Sequence, residues 1–378
     1  MASTSGRNSL ETMGLGAKHG KVYDFPDQIV FKVLSFLDGC EVGRLASVCK
    51  QWAEVCRKDG RLWKGLVEQD FGGVENSITS WRDVYVDESN WVRREFDRRA
   101  LTGHYGDVKC VQFDDEKIVS GSDDGTIRFW DMESGKCTMM FNPLAGCVFS
   151  LKFKDGNVYS SGSRPTISVH EEKSGQSKQT LSGHTDWVNC LDVDEDRLVS
   201  GSNDGLIKIW DLNAVKAAAT LTGHKQWVRC IQAEGNRVVS GSSDETVKLW
   251  DVRTGDAVLT LEGHKACVTS LQFDRNKIIS TSGYTNMKAW DVRTGECFHT
   301  FQTSPSLCVR FDGSKLVCGR HLNGFILIFD MNSLKWKRSL QGPHYLCSWC
   351  LEFSKKRIVC GAGSDVEVWT LNESKRVV

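Results

Sequence analysis

Along most of this chain, apolar and polar positions alternate with a period of two in short runs, and Asn-Asp-Gly or Asp-Glu turns break the runs. One stretch sets the pattern: SGHTDWVNCLDVDEDRLVSGSNDGLIKIWDL returns forty positions later as TGHKQWVRCIQAEGNRVVSGSSDETVKLWDV. Within the first copy, Val188–Val193, Arg197–Gly201, Leu206–Trp210 and Lys216–Leu221 read as four short strands, which predicts a four-stranded antiparallel blade. Gly-His pairs stand at His104, His184, His224 and His264, and Trp-Asp pairs at Trp130, Trp210, Trp250 and Trp290. Stepping by about forty through Trp130 and Trp290 also meets His170, Phe329 and Trp369, so degenerate copies fill the gaps and the count reaches seven. A fixed period of this kind marks a repeat architecture, in which a unit too small to bury its own core relies on its neighbours.

The first ninety or so residues follow a different rhythm. Residues 1–22 carry no periodic apolar pattern and read as a flexible tail, as do 373–378 at the other end. From Tyr23 the period changes to that of a helix: Asp24 and Pro26 suit a helix start, and Ile29, Val30, Val33, Leu34 and Leu37 follow. Asp38-Gly39 breaks the run, Val42, Leu45, Ala46, Cys49 and Trp52 resume it, and Leu62-Trp63 adds a bulky pair. These positions predict a small helical bundle over 23–70, and 71–91, with Trp81, Val84, Tyr85 and Trp91, a helical linker into the repeats over 92–372. So short a bundle leaves apolar side chains over, and a partner is needed to cover them.

Composition narrows the function classes. Lys and Arg total 48 and so do Asp and Glu, so net charge gives no reason to expect nucleic acid or an anionic membrane as partner. No apolar run approaches a membrane span and the N-terminus lacks the apolar core of a signal peptide, so a cytoplasmic or nuclear residence is expected. The 15 cysteines do not read as a disulfide framework: Cys110, Cys190 and Cys230 share one repeat position with Ser150 and Ser270, as a small buried side chain would. Cys347 and Cys350 form a lone C-x-x-C without a second pair, read as packing, and neither metal nor cofactor is expected.

His, Ser, Asp and Trp recur in register as His104, Ser120, Asp124 and Trp130, then His184, Ser200, Asp204 and Trp210, then His224, Ser240, Asp244 and Trp250. A hydrolytic triad needs one built site, whereas the same residues multiplied round a repeat argue for scaffolding. The Asp is expected to accept a bond from the His, with Ser relaying to the Trp ring nitrogen; removing His224 should then strand a buried carboxylate. Unit two departs, with Pro143-Leu144 for Gly-His, Arg164 at the Asp position and His170 for Trp, and unit five has Tyr284 for the Asp.

The forty-residue spacing with Gly-His and Trp-Asp resembles the WD-repeat family, which implies a seven-bladed β-propeller and makes the quartets its structural tetrads. The resemblance also implies closure of the ring by a segment ahead of the first unit. Val92–Leu101 is placed for this, and its charges Arg93, Arg94, Glu95, Asp97, Arg98 and Arg99 suit an outer edge that must not recruit other strands. The line FPDQIVFKVLSFLDGCEVGRLASVCKQWAEVCRKDGRLWK resembles an F-box along its length, departing in Phe25 where Leu is commoner. The implied fold is thus mainly β, a propeller preceded by a small all-α F-box domain. The implied role is that of a non-catalytic substrate receptor, bound through an adaptor to the cullin scaffold of a ubiquitin ligase. Adaptor contacts are expected from Phe25, Pro26, Ile29, Val30, Leu34, Leu37, Leu45, Val48, Trp52, Leu62 and Trp63.

In the WD-repeat family the residue after the Val of each inner strand points to the mouth of the ring. By register this picks out Lys109, Phe149, Asn189, Arg229, Thr269, Leu307 and Trp349, with Tyr105, Arg164, Trp187 and Trp227 close to the same rim. Lys109 and Arg229 lie three blades apart, which weakens a phosphopeptide target held by clustered cations; a peptide anchored by an apolar side chain among the aromatics is the competing target. A WD-repeat scaffold that assembles a complex without ubiquitin transfer is the alternative function.

Overall fold

The computed structural model describes residues 62–64, 66, 91, 95–143, 146–194, 197–212, 214, 216–283, 286–301, 306–320, 324–342 and 349–372. The chain divides into two compact units, 1–87 with 376–378, and 88–375. Of the first unit, Leu62, Trp63 and Leu66 are helical and buried. Leu62 and Trp63 therefore act as core side chains, a correction to their expected place on a docking surface, because an aromatic and a Leu already covered by their own chain have little area left for a partner. The other residues expected to touch an adaptor, Phe25 to Trp52, lie outside the described residues.

The second unit consists of seven sheets of four antiparallel strands. The third blade is typical: from inside outward it runs Val188–Asp194, Arg197–Ser202, Ile207–Asp211 and Lys216–Leu221, within one residue of the ranges expected. Its second strand is buried at five consecutive positions, as a strand covered on both faces must be, while the outer strand exposes Lys216, Ala217, Ala218 and Thr220 to solvent. Small residues make the blades fit. A Cβ added at Gly201 would stand 2.5 Å from Val228 of the next blade and 2.7 Å from the Cys190 thiol. Gly241 repeats the arrangement with Val268 and Cys230. The cysteines at this repeat position are free thiols packed at the joints, and burial pushes the Cys230 thiol up to about 12. Of the C-x-x-C pair, Cys350 is likewise free with its thiol against the Val108 carbonyl, and Cys347 lies outside the described residues.

Two residues further along six of the inner strands, a polar side chain reaches across to the following blade. Gln112 accepts from the Phe153 amide at 2.9 Å, Asp192 from Ala233 at 2.8 Å, Gln232 from Phe273 at 2.6 Å and Gln272 from Phe311 at 2.7 Å. Where the residue is charged its neighbour answers, with Lys152 3.1 Å from Asp192 and Arg310 3.0 Å from Glu352. This belt satisfies inner-strand amides whose outward partners are lost at the centre of a ring.

Phe96–Leu101 closes the ring as the outer strand of the seventh blade, paired in antiparallel register with Asp365–Leu371. Two of its charges do more than guard an edge. Arg98 forks onto Glu367, which is 2% exposed, at 2.6 and 2.7 Å. Arg99 donates to the carbonyls of Met132 and Glu133 in the first blade, so one strand binds both sides of the seam. Just ahead, the buried Trp91 donates to the Lys355 carbonyl at 2.7 Å and meets Phe96 and Phe353 edge to face.

Arg98→Met leaves the Glu367 carboxylate buried without its fork. The expected cost is about 2 kcal/mol, a fall in the thermal midpoint of about 5 °C, and adding Glu367→Gln should restore most of it. Scanning calorimetry of the single and double variants measures both.

Candidate functional site

The loop face of the propeller carries two superimposed arrangements, one structural and one open to solvent. The structural one is the set of quartets, built as the register predicts. In the fourth blade His224 Nδ1 lies 2.8 Å from Asp244, its Nε2 2.8 Å from the Ser240 hydroxyl, and Trp250 donates to the same hydroxyl at 2.8 Å. The first and third blades repeat this within 0.1 Å through His104 and His184. These distances fit one assignment: the imidazole donates from Nδ1 to the carboxylate, accepts the Ser proton at Nε2, and the Ser oxygen accepts from Trp.

Each Asp has more partners than the sequence suggested. Asp244 also accepts from the Lys225 amide, the Thr246 amide and the Thr246 hydroxyl, and these donors together with His224 hold its carboxyl down to about 2 against the opposing effect of burial. Removing His224 therefore would not strand the carboxylate, which corrects the expectation above; the stranded group would be the Ser240 hydroxyl. All three imidazole side chains are 0% exposed, and their ring nitrogens are engaged within the quartets.

The fifth blade holds the quartet lacking its acid that the sequence indicates, with Ser280 as the member the sequence reading did not name. His264 Nε2 is 2.7 Å from Ser280, and Trp290 donates to that hydroxyl at 2.8 Å. His264 Nδ1 is buried with no partner, and burial with Lys288 nearby lowers the imidazole to about 4. Tyr284, at the acid's register position, lies outside the described residues. In the second blade His170 replaces Trp and stacks on Phe141 at 5.0 Å, leaving its own Nδ1 and the Ser160 hydroxyl unpartnered.

The open arrangement is the rim of the channel. On the inner strands the register with the second strand slips between Val108 and Cys110, Val148 and Ser150, Val188 and Cys190, Val228 and Cys230, Val268 and Ser270, and Ser306 and Cys308. The residue skipped at each slip is Lys109, Phe149, Asn189, Arg229, Thr269 or Leu307. A bulge leaves its extra residue unpaired and turns its side chain away from the sheet, which is how a strand otherwise buried on both faces delivers six side chains to the mouth. These six with Trp349, Trp187 and Trp227 line one cavity of about 480 Å³, joined by Asn203, Cys267 and Gly283, which the sequence reading did not select. Tyr105, 91% exposed, and Arg164, also exposed, stand apart from that lining.

Within the cavity Phe149 lies 5.8 Å from Trp187, and Trp187, Trp227 and Trp349 are 47%, 45% and 38% exposed. Lys109 sits 3.2 Å from Asp123, 3.3 Å from Asp107 and 3.9 Å above the Trp349 ring. Arg229 donates to Ser243 at 2.9 Å with its guanidinium 4.7 Å over Trp227. Below the rim the space narrows to a channel of about 140 Å³ walled by the thiol joints and the polar belt. Among the described residues no three His, Cys, Asp or Glu side chains gather as a metal site, and no helix is long and apolar enough to cross a membrane.

Residues 22–69 match the family described as F-box-like, and residues 98–333 match the family described as Nucleolar protein 10-like, N-terminal domain. Among curated proteins the chain is 30% identical to a "Probable E3 ubiquitin ligase complex SCF subunit sconB" of Arthroderma otae, over 29% of this chain and 22% of that protein. It is 32% identical to "F-box/WD repeat-containing protein 7" of Drosophila melanogaster, over 33% of this chain and 11% of that one. The chain thus spans less than a quarter of the length of either relative. Among solved structures, the WD40 β-propeller domain of Doa1 superposes with a TM-score of 0.65 at 23% identity, over 74% of this chain and 98% of that one. The computationally designed Ika8 protein gives 0.60 at 29% identity, over 70% and 83%.

The unpaired His264 makes a pH prediction. Above pH 6.5 its ring is neutral folded or unfolded; between 6.5 and about 4 only the unfolded chain takes the proton, so stability falls as pH falls through that window, by roughly 3 kcal/mol in all. His264→Leu should flatten the loss of thermal midpoint between pH 7 and 4, whatever its midpoint at pH 7.

Proposed function

The chain belongs over residues 98–333 to the nucleolar protein 10-like N-terminal propellers and, with an F-box-like segment ahead of them, is an F-box and WD-repeat protein; from that premise we propose that it is the substrate-recognition subunit of an F-box type cullin-RING ubiquitin ligase. The observation that carries this reading is the F-box-like match over residues 22–69, placed before a propeller and shared in type with relatives named as ubiquitin ligase subunits. The F-box-like segment docks the adaptor that bridges to the cullin, and the propeller rim holds the target protein.

On this reading the chain performs no chemistry. Holding the target beside the charged ubiquitin carrier turns a bimolecular transfer into a nearly intramolecular one, and the gain is an effective concentration set by geometry. The division into two compact units supports the division of labour, since one surface can be occupied without disturbing the fold of the other. The buried quartets support a non-catalytic role, because their reactive atoms are spent on one another.

Removing residues 23–70 should abolish co-purification of adaptor and cullin while the propeller keeps its melting temperature and its protein partners. A full-length chain that recovers propeller partners but neither adaptor nor cullin would instead mark a scaffold without ubiquitin transfer.

A further inference from the structure

We propose that the rim cavity takes an unphosphorylated segment of its target, anchored by one aromatic or long aliphatic side chain, and does not read phosphate. This rests on the receptor reading above and names the chemistry of what is received. Two observations carry it, the engagement of the rim's cations and the exposure of its aromatic rings.

A phosphate site needs cations whose hydrogen-bond donors are aimed at the ligand. Lys109 is instead shared between Asp107 and Asp123, at 3.3 and 3.2 Å, and capped by the Trp349 ring, whose indole N–H donates to Asp107 at 3.2 Å. Arg229 holds its guanidinium carbon 4.7 Å over the Trp227 ring and gives its Nε to Ser243. At Lys109 an arriving dianion meets Asp107 and Asp123 as repulsive neighbours, and Arg229, three blades away, is a single cation set over an indole ring and not part of a cluster. A segment without net charge meets no such penalty.

The apolar side of the ledger is large. Trp187, Trp227 and Trp349 keep between 38% and 47% of their surface in water around a cavity of about 480 Å³, a size suited to one bulky side chain and its flanking backbone. Aromatic surface held rigid before binding costs little to immobilise and gains on every Å² covered. Asn189 and Asn203, paired at 2.9 Å, put amide groups on the cavity wall within reach of a peptide main chain.

The test uses the full-length chain and fluorescein-labelled random dodecapeptide pools with one position fixed as Phe, Trp, Leu, Ala or phosphoserine, read by fluorescence anisotropy. The Phe, Trp or Leu pool should bind about tenfold more tightly than the Ala and phosphoserine pools. Trp227→Ala and Trp187→Ala, at exposed positions and checked for unchanged melting, should each remove most of that advantage, while Arg229→Gln changes it less than about twofold. Tightest binding of the phosphoserine pool, with loss on Arg229→Gln, would overturn the inference, and so would pools that do not differ. Adaptor capture is scored on the same preparations: capture without an apolar preference sinks only the anchor, and an apolar preference without capture sinks only the ligase reading.

Discussion

A four-stranded blade has two apolar faces and no means of covering either, so the stability of this propeller depends on the ring being closed. Residues 269 apart in sequence meet where Arg98 forks onto Glu367. Bringing such distant segments together costs more chain entropy than any neighbouring-blade contact, and the interaction at that seam must offset it. The molecule uses several devices at once there: a full antiparallel register, a buried charge-assisted fork, Arg99 reaching into the first blade, and Trp91 sealed under the joint between the sixth and seventh. Without closure the first and seventh blades would each expose a face like the one built from Val108, Ile118, Val359 and Val368.

Read along a single inner strand, the structure separates into layers with different duties. In the third blade Asn189 bulges toward the mouth, Cys190 fills the joint above Gly201, Leu191 packs in the core and Asp192 laces to the following blade. Four consecutive residues thus serve recognition, fit, burial and belt. Substitution in the first layer changes what the mouth can hold at little cost to the fold, whereas the second holds Cys beside a Gly, or Ser beside the larger Ser161 or Thr281. The identities bear this out: the bulged residue is Lys, Phe, Asn, Arg, Thr or Leu, while the joint residue is Cys or Ser in every blade.

The repeat period made the blades legible because the same residue types return at the same spacing, and strand ends came out within a residue in the third blade. The bulged rim residues were legible by register alone. The belt was not, since its position alternates between amide, cation and carboxylate, as at Gln112, Lys152, Asp192, Arg310 and Glu352; only the geometry of adjacent strands reveals that they perform one task. Arg98 looked like an edge guard because its partner sits at the far end of the chain. Tyr105 and Arg164 were drawn to the rim by loop proximity, yet the rim is supplied by bulges and by residues beside them, and neither satisfies that condition. Leu62 and Trp63 carried the right motif for docking, but motif membership does not distinguish a residue that contacts a partner from one buried within its own chain.

The two arrangements on the loop face meet in the third and fourth blades. His184 and His224 stand three residues before Trp187 and Trp227, and the carboxylates that fix these histidines also take the amides of Thr185 and Lys225 between them. The far end of each loop is pinned as well, by Asn203 and Ser243 donating to the carbonyls of Trp187 and Trp227 at 2.8 Å. A loop tied at both ends presents its indole in one place before any ligand arrives, and the entropy that a loose loop would lose on binding has already been lost in folding. The complete quartets therefore act on recognition without touching a ligand. Where the quartet is missing its acid, as at His264, the same loop position holds Cys267 rather than a large ring. Rigidity and anchoring surface coincide on the third and fourth blades, while the complete quartet of the first holds Asp107 at the same loop position, the carboxylate that pairs with Lys109.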